Sequence, residues 1–266
     1  MKKSLFLALV LVMFIASSTF AAPLDDYSKA GNVGLSVWVM HAGLDTDRKS
    51  KEPWGPGFAE SFDAANKWSL GGELTVTVAP KWAIGFEYAG TNGKHVQVQD
   101  FIGAYSTEER NKLSSSLVKV KYQVYKDERL FLAPYIGFAR NRAKINNYQH
   151  RPMIGYAGYD YKTESRTSIL AGVTAVYALD KPGKLKTYLD AAAGNKMYSW
   201  NIGVSYQVAK NLDFDFGYKH YMVKGLKYDY DKIVTTSNGA QGNFVDNGKI
   251  KSSSRGIYFG LSYKFI

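Results

Sequence analysis

Seven charged residues fall at alternate positions within segments whose other residues are apolar or small: Glu73, Glu87, Lys119, Lys121, Asp213, Asp215 and Lys219. Asp190 shares that setting if segment 185–194 is extended. Carboxylates and ammonium groups gathered on one face can form an interior ion-pair network, line a narrow ion path, or act as acid and base. In a confined space opposite charges must pair or stay hydrated, which favours the network over the path, and the path over catalysis. Other residue types offer less. The four histidines, His41, His95, His150 and His220, are far apart and show no His-x-x-x-His spacing, so no metal site is expected. No serine sits in a Gly-x-Ser-x-Gly turn. Gly90-Thr91-Asn92-Gly93-Lys94 lacks the strand-to-helix setting of a phosphate loop and reads as a turn near a strand end. No cofactor is expected.

A second group is basic. Arg140, Arg142, Lys144, Arg151, Lys162 and Arg166 cluster around one connection and its flanking strand ends, outnumbering Asp160 and Glu164. Such a group can contact lipopolysaccharide phosphates, attract anions, pair with interior carboxylates, or simply be solvated.

The elements that must position these residues are strands. Trp200, Ile202, Val204, Tyr206 and Val208 alternate with Asn201, Gly203, Ser205 and Gln207. After Lys210-Asn211 the alternation resumes as Leu212, Phe214, Phe216 and Tyr218 against Asp213, Asp215, Gly217 and Lys219. The pattern predicts strands over 32–44, 68–79, 81–91, 114–125, 130–145, 165–179, 185–194, 197–209, 212–228 and 253–265. Their polar faces carry mostly small residues with sparse charges of both signs, as expected inside a barrel whose apolar face meets lipid. Trp68, Trp82, Tyr88, Tyr125, Tyr177, Trp200, Tyr206 and Tyr218 lie at strand ends, as in interfacial girdles. The fold class is therefore an all-β, closed, antiparallel transmembrane barrel of ten strands. Eight strands, the fallback if 185–194 is not one, would leave 165–179 and 197–209 running in the same direction.

Short turns at 79–81, 126–128, 181–183 and 210–211 alternate with long polar connections at about 46–67, 91–113, 146–165 and 229–251. In outer-membrane barrels the short turns are periplasmic and the long loops extracellular.

Residues 1–21 read as a secretory signal peptide: Lys2 and Lys3, the apolar run Leu5 to Ile15, then small residues and a cleavage site after Ala21. Residues 22–266 form the barrel domain. No later run of 18 apolar residues exists. The net charge of +11 falls to about +9 without the leader. The absence of cysteine excludes a disulfide framework and thiolate metal sites.

The final strand, Gly256 to Ile266, resembles the C-terminal assembly signal of outer-membrane proteins, with Leu261, Tyr263 and Phe265 at the alternating apolar positions. That signal normally ends on the aromatic residue; this chain adds Ile266. Ala133-Pro134-Tyr135-Ile136-Gly137 and Phe216-Gly217-Tyr218-Lys219-His220-Tyr221 are similar to strands of the OmpA-like small-barrel superfamily. The resemblance implies an outer-membrane location, contact with outer-membrane lipid and lipopolysaccharide, and delivery to the barrel-assembly machinery. It also implies a monomer; no nucleic-acid partner is expected, because export places the chain away from nucleic acid and the aromatics follow strand parity. The function expected is structural or surface-interacting, not enzymatic, with the lumen plugged by paired charges. A small porin-like channel is the alternative. An outer-membrane protease of omptin type comes third, because Asp213 and Asp215 lie at the periplasmic end and His220 has outward parity.

Overall fold

A computed structural model describes residues 26–50, 59–99, 105–151, 155–163, 165–235 and 241–265. The proposed leader and Ile266 lie outside the described residues. The strands are β1 (Val33–Ser50), β2 (Ala59–Ala79), β3 (Trp82–Gln99), β4 (Tyr105–Tyr122), β5 (Tyr125–Lys126) and β6 (Leu130–Arg151). Then follow β7 (Gly155–Thr163), β8 (Arg166–Ala178), β9 (Leu185–Gly194), β10 (Met197–Ala209), β11 (Leu212–Thr235) and β12 (Gln241–Phe265).

Ten of these close into one antiparallel barrel, in the order β1-β2-β3-β4-β6-β8-β9-β10-β11-β12. The seam pairs Val33 with Phe265 and runs through Val37↔Leu261 to Ser50↔Gly248, so no sheet edge is left open along it. Segment 185–194, the least regular in sequence, is a full strand between β8 and β10.

The turn end matches the sequence pattern closely. Pro80-Lys81 and Lys210-Asn211 make tight connections, with Lys81 (φ 70°) and Asn211 (φ 65°) left-handed and a register shift in the adjoining strand. Asp127 shapes another turn by accepting the backbone N–H groups of Arg129 (2.7 Å) and Leu130 (2.6 Å) and the Tyr125 hydroxyl (2.8 Å).

At the opposite end the strands run much further than alternation indicates. β2, β3, β4 and β12 extend into the connections expected at 46–67, 91–113 and 229–251, and β11 reaches Thr235. Where side chains are described there, Lys112, Lys249 and Lys251 are exposed while Leu113 and Ile250 are buried, so the apolar-outward alternation of the lipid-facing part does not mark the extension, although the backbone ladder continues. β9 and β10 stop short. Above their hairpin β7 fills the wall, pairing with β6 through Ile145↔Tyr161 and with β11 through Tyr228↔Thr163. The upper wall therefore has eight strands, β7 replacing β8, β9 and β10.

The outer surface carries a continuous apolar belt. On β12 it runs over Ile257, Phe259, Leu261 and Phe265, all at least 40% exposed. Nine residues from Ile257 to Phe265 match the roughly 9–11 needed by a tilted strand to cross a bilayer. An exposed belt of this size around a closed sheet is stable only in lipid. Trp82, Tyr125, Tyr177 and Tyr206 edge it near the turns; Trp68, Tyr88, Trp200 and Tyr218 edge it at the other margin. The Trp200 and Tyr218 rings stack at 5.3 Å.

Candidate functional site

The lumen is filled in three layers, and the middle one contains most of the charges singled out above. Glu73 on β2 lies directly opposite Glu87 on β3, a juxtaposition that repels unless cations intervene. β4 supplies them. The Lys119 ammonium lies 3.2 Å from Glu73, 2.6 Å from Glu87 and 3.6 Å from Asp190. Lys121 reaches Glu73 at 2.6 Å, and Lys219 pairs with Glu87 from across the lumen. Three ammonium groups thus face three carboxylates.

The lysines must pass β3 to reach β2, and Gly85 lets them. A Cβ at Gly85 would lie 3.2 Å from both Glu73 Oε1 and Lys121 Cε. Neutral groups saturate the remaining oxygens: Thr75 donates to Glu73 (3.1 Å), while Tyr135 and Thr174 each donate to Asp190 (2.7 Å). Lys219 also lies over the Trp38 ring at 4.3 Å. Charges this buried are tolerable only when paired and hydrogen-bonded in this way. The space left among Trp38, Glu73, Lys119, Asp190 and Lys219 is about 30 Å³, room for one or two waters.

Asp213 and Asp215 also point inward; Asp215 borders the same small space as the three-lysine cluster but takes other partners. Asp215 accepts from Ser262, and Asp213 has Lys264 at 3.9 Å. Lys264, a member of the inward row of β12, was not singled out in the sequence. Beside them the hydroxyls of Tyr188 and Tyr258 meet across the lumen.

The upper layer is one that sequence reasoning missed. Met40, Leu44, Leu113, Leu170, Val223, Leu226 and Ile250 all point inward and are at most 2% exposed. Tyr221 spans this layer from β11 to β3, its hydroxyl 2.9 Å from Thr91 Oγ1, which in turn sits 2.8 Å from Ser254. Apolar side chains normally mark the lipid side of a barrel strand, so alternation alone hides an apolar interior. Leu113 and Leu117, at the inward parity of Lys119 and Lys121, were the available signal.

The lowest layer is Tyr27. The segment before β1 folds back beneath the barrel: Gly31 N–H donates to Thr77 O, Lys81 N–H donates to Tyr27 O, and Tyr27 N–H donates to Gln123 Oε1. Its ring is fully buried, edge-on to Phe131 at 5.1 Å. A 2.7 Å pair between Asp26 and Lys126 pins the segment outside.

The basic group divides. Arg140, Arg142 and Lys144 lie on the outer face of β6. Arg166 faces inward at the mouth, where its guanidinium donates to Gly225 O on β11. Arg151 and Lys162 belong to β6 and β7, but their side chains lie outside the described residues. Leu261, Tyr263 and Phe265 line the outer side of the closing seam, opposite Val37, Leu35 and Val33. His220 lies on the outer face between Tyr198 and Trp200. Among the described residues no group of three or more His, Asp or Glu could hold a metal ion.

No protein-family model matches the chain. No curated protein is similar to it in sequence. Solved structures do match. The crystal structure of the outer membrane protease OmpT from Escherichia coli is 12% identical, with a TM-score of 0.55, over 88% of this chain and 97% of that one. This chain has the fold of an outer-membrane β-barrel. Looser matches include the attachment invasion locus protein Ail of Yersinia pestis (12% identity, 89% and 100% covered, TM-score 0.35). OprG from Pseudomonas aeruginosa is another (14% identity, 91% and 99% covered, TM-score 0.39). Identities this low carry fold and nothing of activity.

Proposed function

We propose that this chain is a sealed outer-membrane barrel with a structural or surface-interaction role. It is exported by a signal peptide cleaved after Ala21, delivered to the barrel-assembly machinery through the Leu261, Tyr263 and Phe265 signal, and monomeric. The observation that carries the reading is the filled lumen. A neutral six-charge layer leaves space for one or two waters, an apolar layer bridged by Tyr221 lies above it, and Tyr27 lies below. An ion crossing this path would have to part buried ion pairs and then displace a close-packed layer of buried leucines and hydrogen-bonded hydroxyl and amide groups, each step costing several kcal/mol. What remains for the molecule to offer is its exterior: the long extensions of β2, β3, β4, β11 and β12 beyond the apolar belt. The OmpA-like resemblance agrees with such a role.

An enzymatic role has less support. Asp213 and Asp215 lie beside the short turns and are engaged by Ser262 and Lys264, while His220 faces away from both. Planar-bilayer recording of the refolded mature protein tests the proposal. Silence from folded protein supports it, whereas discrete conductance steps would install the channel reading instead.

A further inference from the structure

Above the apolar belt, opposite sides of the barrel treat their outward cations differently. On the β1–β12 side Arg255 is 3.3 Å from Asp45 and Lys251 is 2.7 Å from Asp47, so each has a carboxylate from the neighbouring strand. On the β4–β6 side the register places Lys112 opposite Lys144, Ser114 opposite Arg142 and Ser116 opposite Arg140. All four cations are exposed. None forms an ion pair with a described carboxylate, and the one side-chain hydrogen bond among them joins Arg140 to Ser165 (3.3 Å). Directly opposed like charges weaken an antiparallel pair, so the Lys112–Lys144 rung carries a local cost that an external anion would remove.

The row's position narrows the anion. Immediately below it come Val118 opposite Phe138 and Val120 opposite Ile136, the upper part of the lipid-facing belt. The cations therefore sit at headgroup height. Beside them the outer wall is hollowed where Gly72 carries no side chain, a depression of about 320 Å³ lined by Leu35, Val37, Leu74, Phe86 and Tyr88. Tyr88 pairs with Ser116 and Ser116 with Arg140, so the rim of the depression and the foot of the cationic row share one rung, roughly 10 Å apart across two strand spacings.

We propose that this face binds the phosphate groups of an outer-leaflet glycolipid of lipid A type, the phosphates on Lys112, Arg140, Arg142 and Lys144 and an acyl chain in the depression. Arginine forks and ammonium groups are well suited to phosphate oxygens. Four cations on two adjacent strands span more than one phosphate, which favours a bis-phosphorylated lipid over a singly charged one. The proposal rests on the outer-membrane reading but not on a sealed lumen. A conducting barrel that still bound the lipid would overturn the latter and leave this site intact.

Native mass spectrometry of the refolded mature chain in non-ionic detergent, titrated with bis-phosphorylated lipid A, tests it. The wild type should bind lipid A at least tenfold more tightly than it binds phosphatidylglycerol or dephosphorylated lipid A. Combined Lys112→Gln, Arg142→Gln and Lys144→Gln should remove that preference, whereas combined Lys251→Gln and Arg255→Gln on the opposite side should keep it. The single reversal Arg142→Glu, less demanding on folding, should weaken binding several-fold. Wild-type affinity in the triple variant or in Arg142→Glu, equal retention of the phosphate-free lipid or of phosphatidylglycerol, or no retention of lipid A would each overturn the proposal.

Discussion

Replacing Lys119 with methionine keeps the length and most of the volume of the side chain but removes the charge that three carboxylates share. Lys119 is 1% exposed and has Glu73, Glu87 and Asp190 all within 3.6 Å. The variant leaves those three carboxylates facing only Lys121 and Lys219, a net negative charge in a space with room for one or two waters. Removing one partner of a buried pair costs about 3–5 kcal/mol, mostly through the charge left behind. Adding Glu87→Gln restores neutrality with two charges of each sign. The double variant should then be more stable than the sum of the two single losses by about 1–3 kcal/mol. Reversible urea unfolding of the refolded protein, followed by tryptophan fluorescence and by heat-modifiable gel mobility, measures all three. A Lys119→Met loss under about 1 kcal/mol, or strict additivity in the cycle, would refute the idea that Lys119 holds the layer together.

Three further outcomes follow from other parts of the lumen and its turns. Gly85→Val should cost about 1–3 kcal/mol in the same unfolding assay, because its side chain enters the space through which Lys119 and Lys121 reach Glu73. Tyr27→Ala should cost about 3 kcal/mol by emptying the lower layer, and wild-type stability would show that the segment before β1 does not dock. Asp127 should titrate below the ordinary aspartate value of 3.8, since the backbone N–H groups of Leu130 and Arg129 stabilise its charged form. Its contribution to the turn is then present above that value and lost as pH falls through the depressed one; a carboxyl-carbon NMR titration at or above 3.8 would contradict it.

The sequence was most legible where two environments meet across a strand. Between the turns and the outer girdle, lipid and lumen impose opposite demands on successive residues, so Val118, Val120, Lys119 and Lys121 could be assigned faces without a structure. Further up, β11 and β12 turn Lys224, Lys227, Lys249 and Lys251 outward and Leu226 and Ile250 inward, so the apolar-outward contrast is lost and the strands outrun the pattern by many residues. Parity also shows which charges face inward but not which of them meet. That depends on register and on Gly85, which let β4 lysines reach a β2 carboxylate, and it is why Asp213 and Asp215 share parity with the cluster yet not its partners. Leu113, Leu170 and Leu226 were hidden because an apolar residue in a barrel strand is read as facing lipid. Trp38, which shares the parity of Gly34 and Ser36 on β1, faces the lumen and lies over Lys219.

The sealed lumen is the centre of the account, and single-channel recording addresses it most directly. Refolded mature protein, shown by heat-modifiable mobility to be folded, should leave a planar bilayer silent across the usual voltage range. Paired replacement of Leu113 and Tyr221 by serine should then introduce measurable current by opening the apolar layer. Discrete steps from the wild type, altered by charge reversal at Lys119 or Lys121, would contradict the account and make the same charges the lining of a pore.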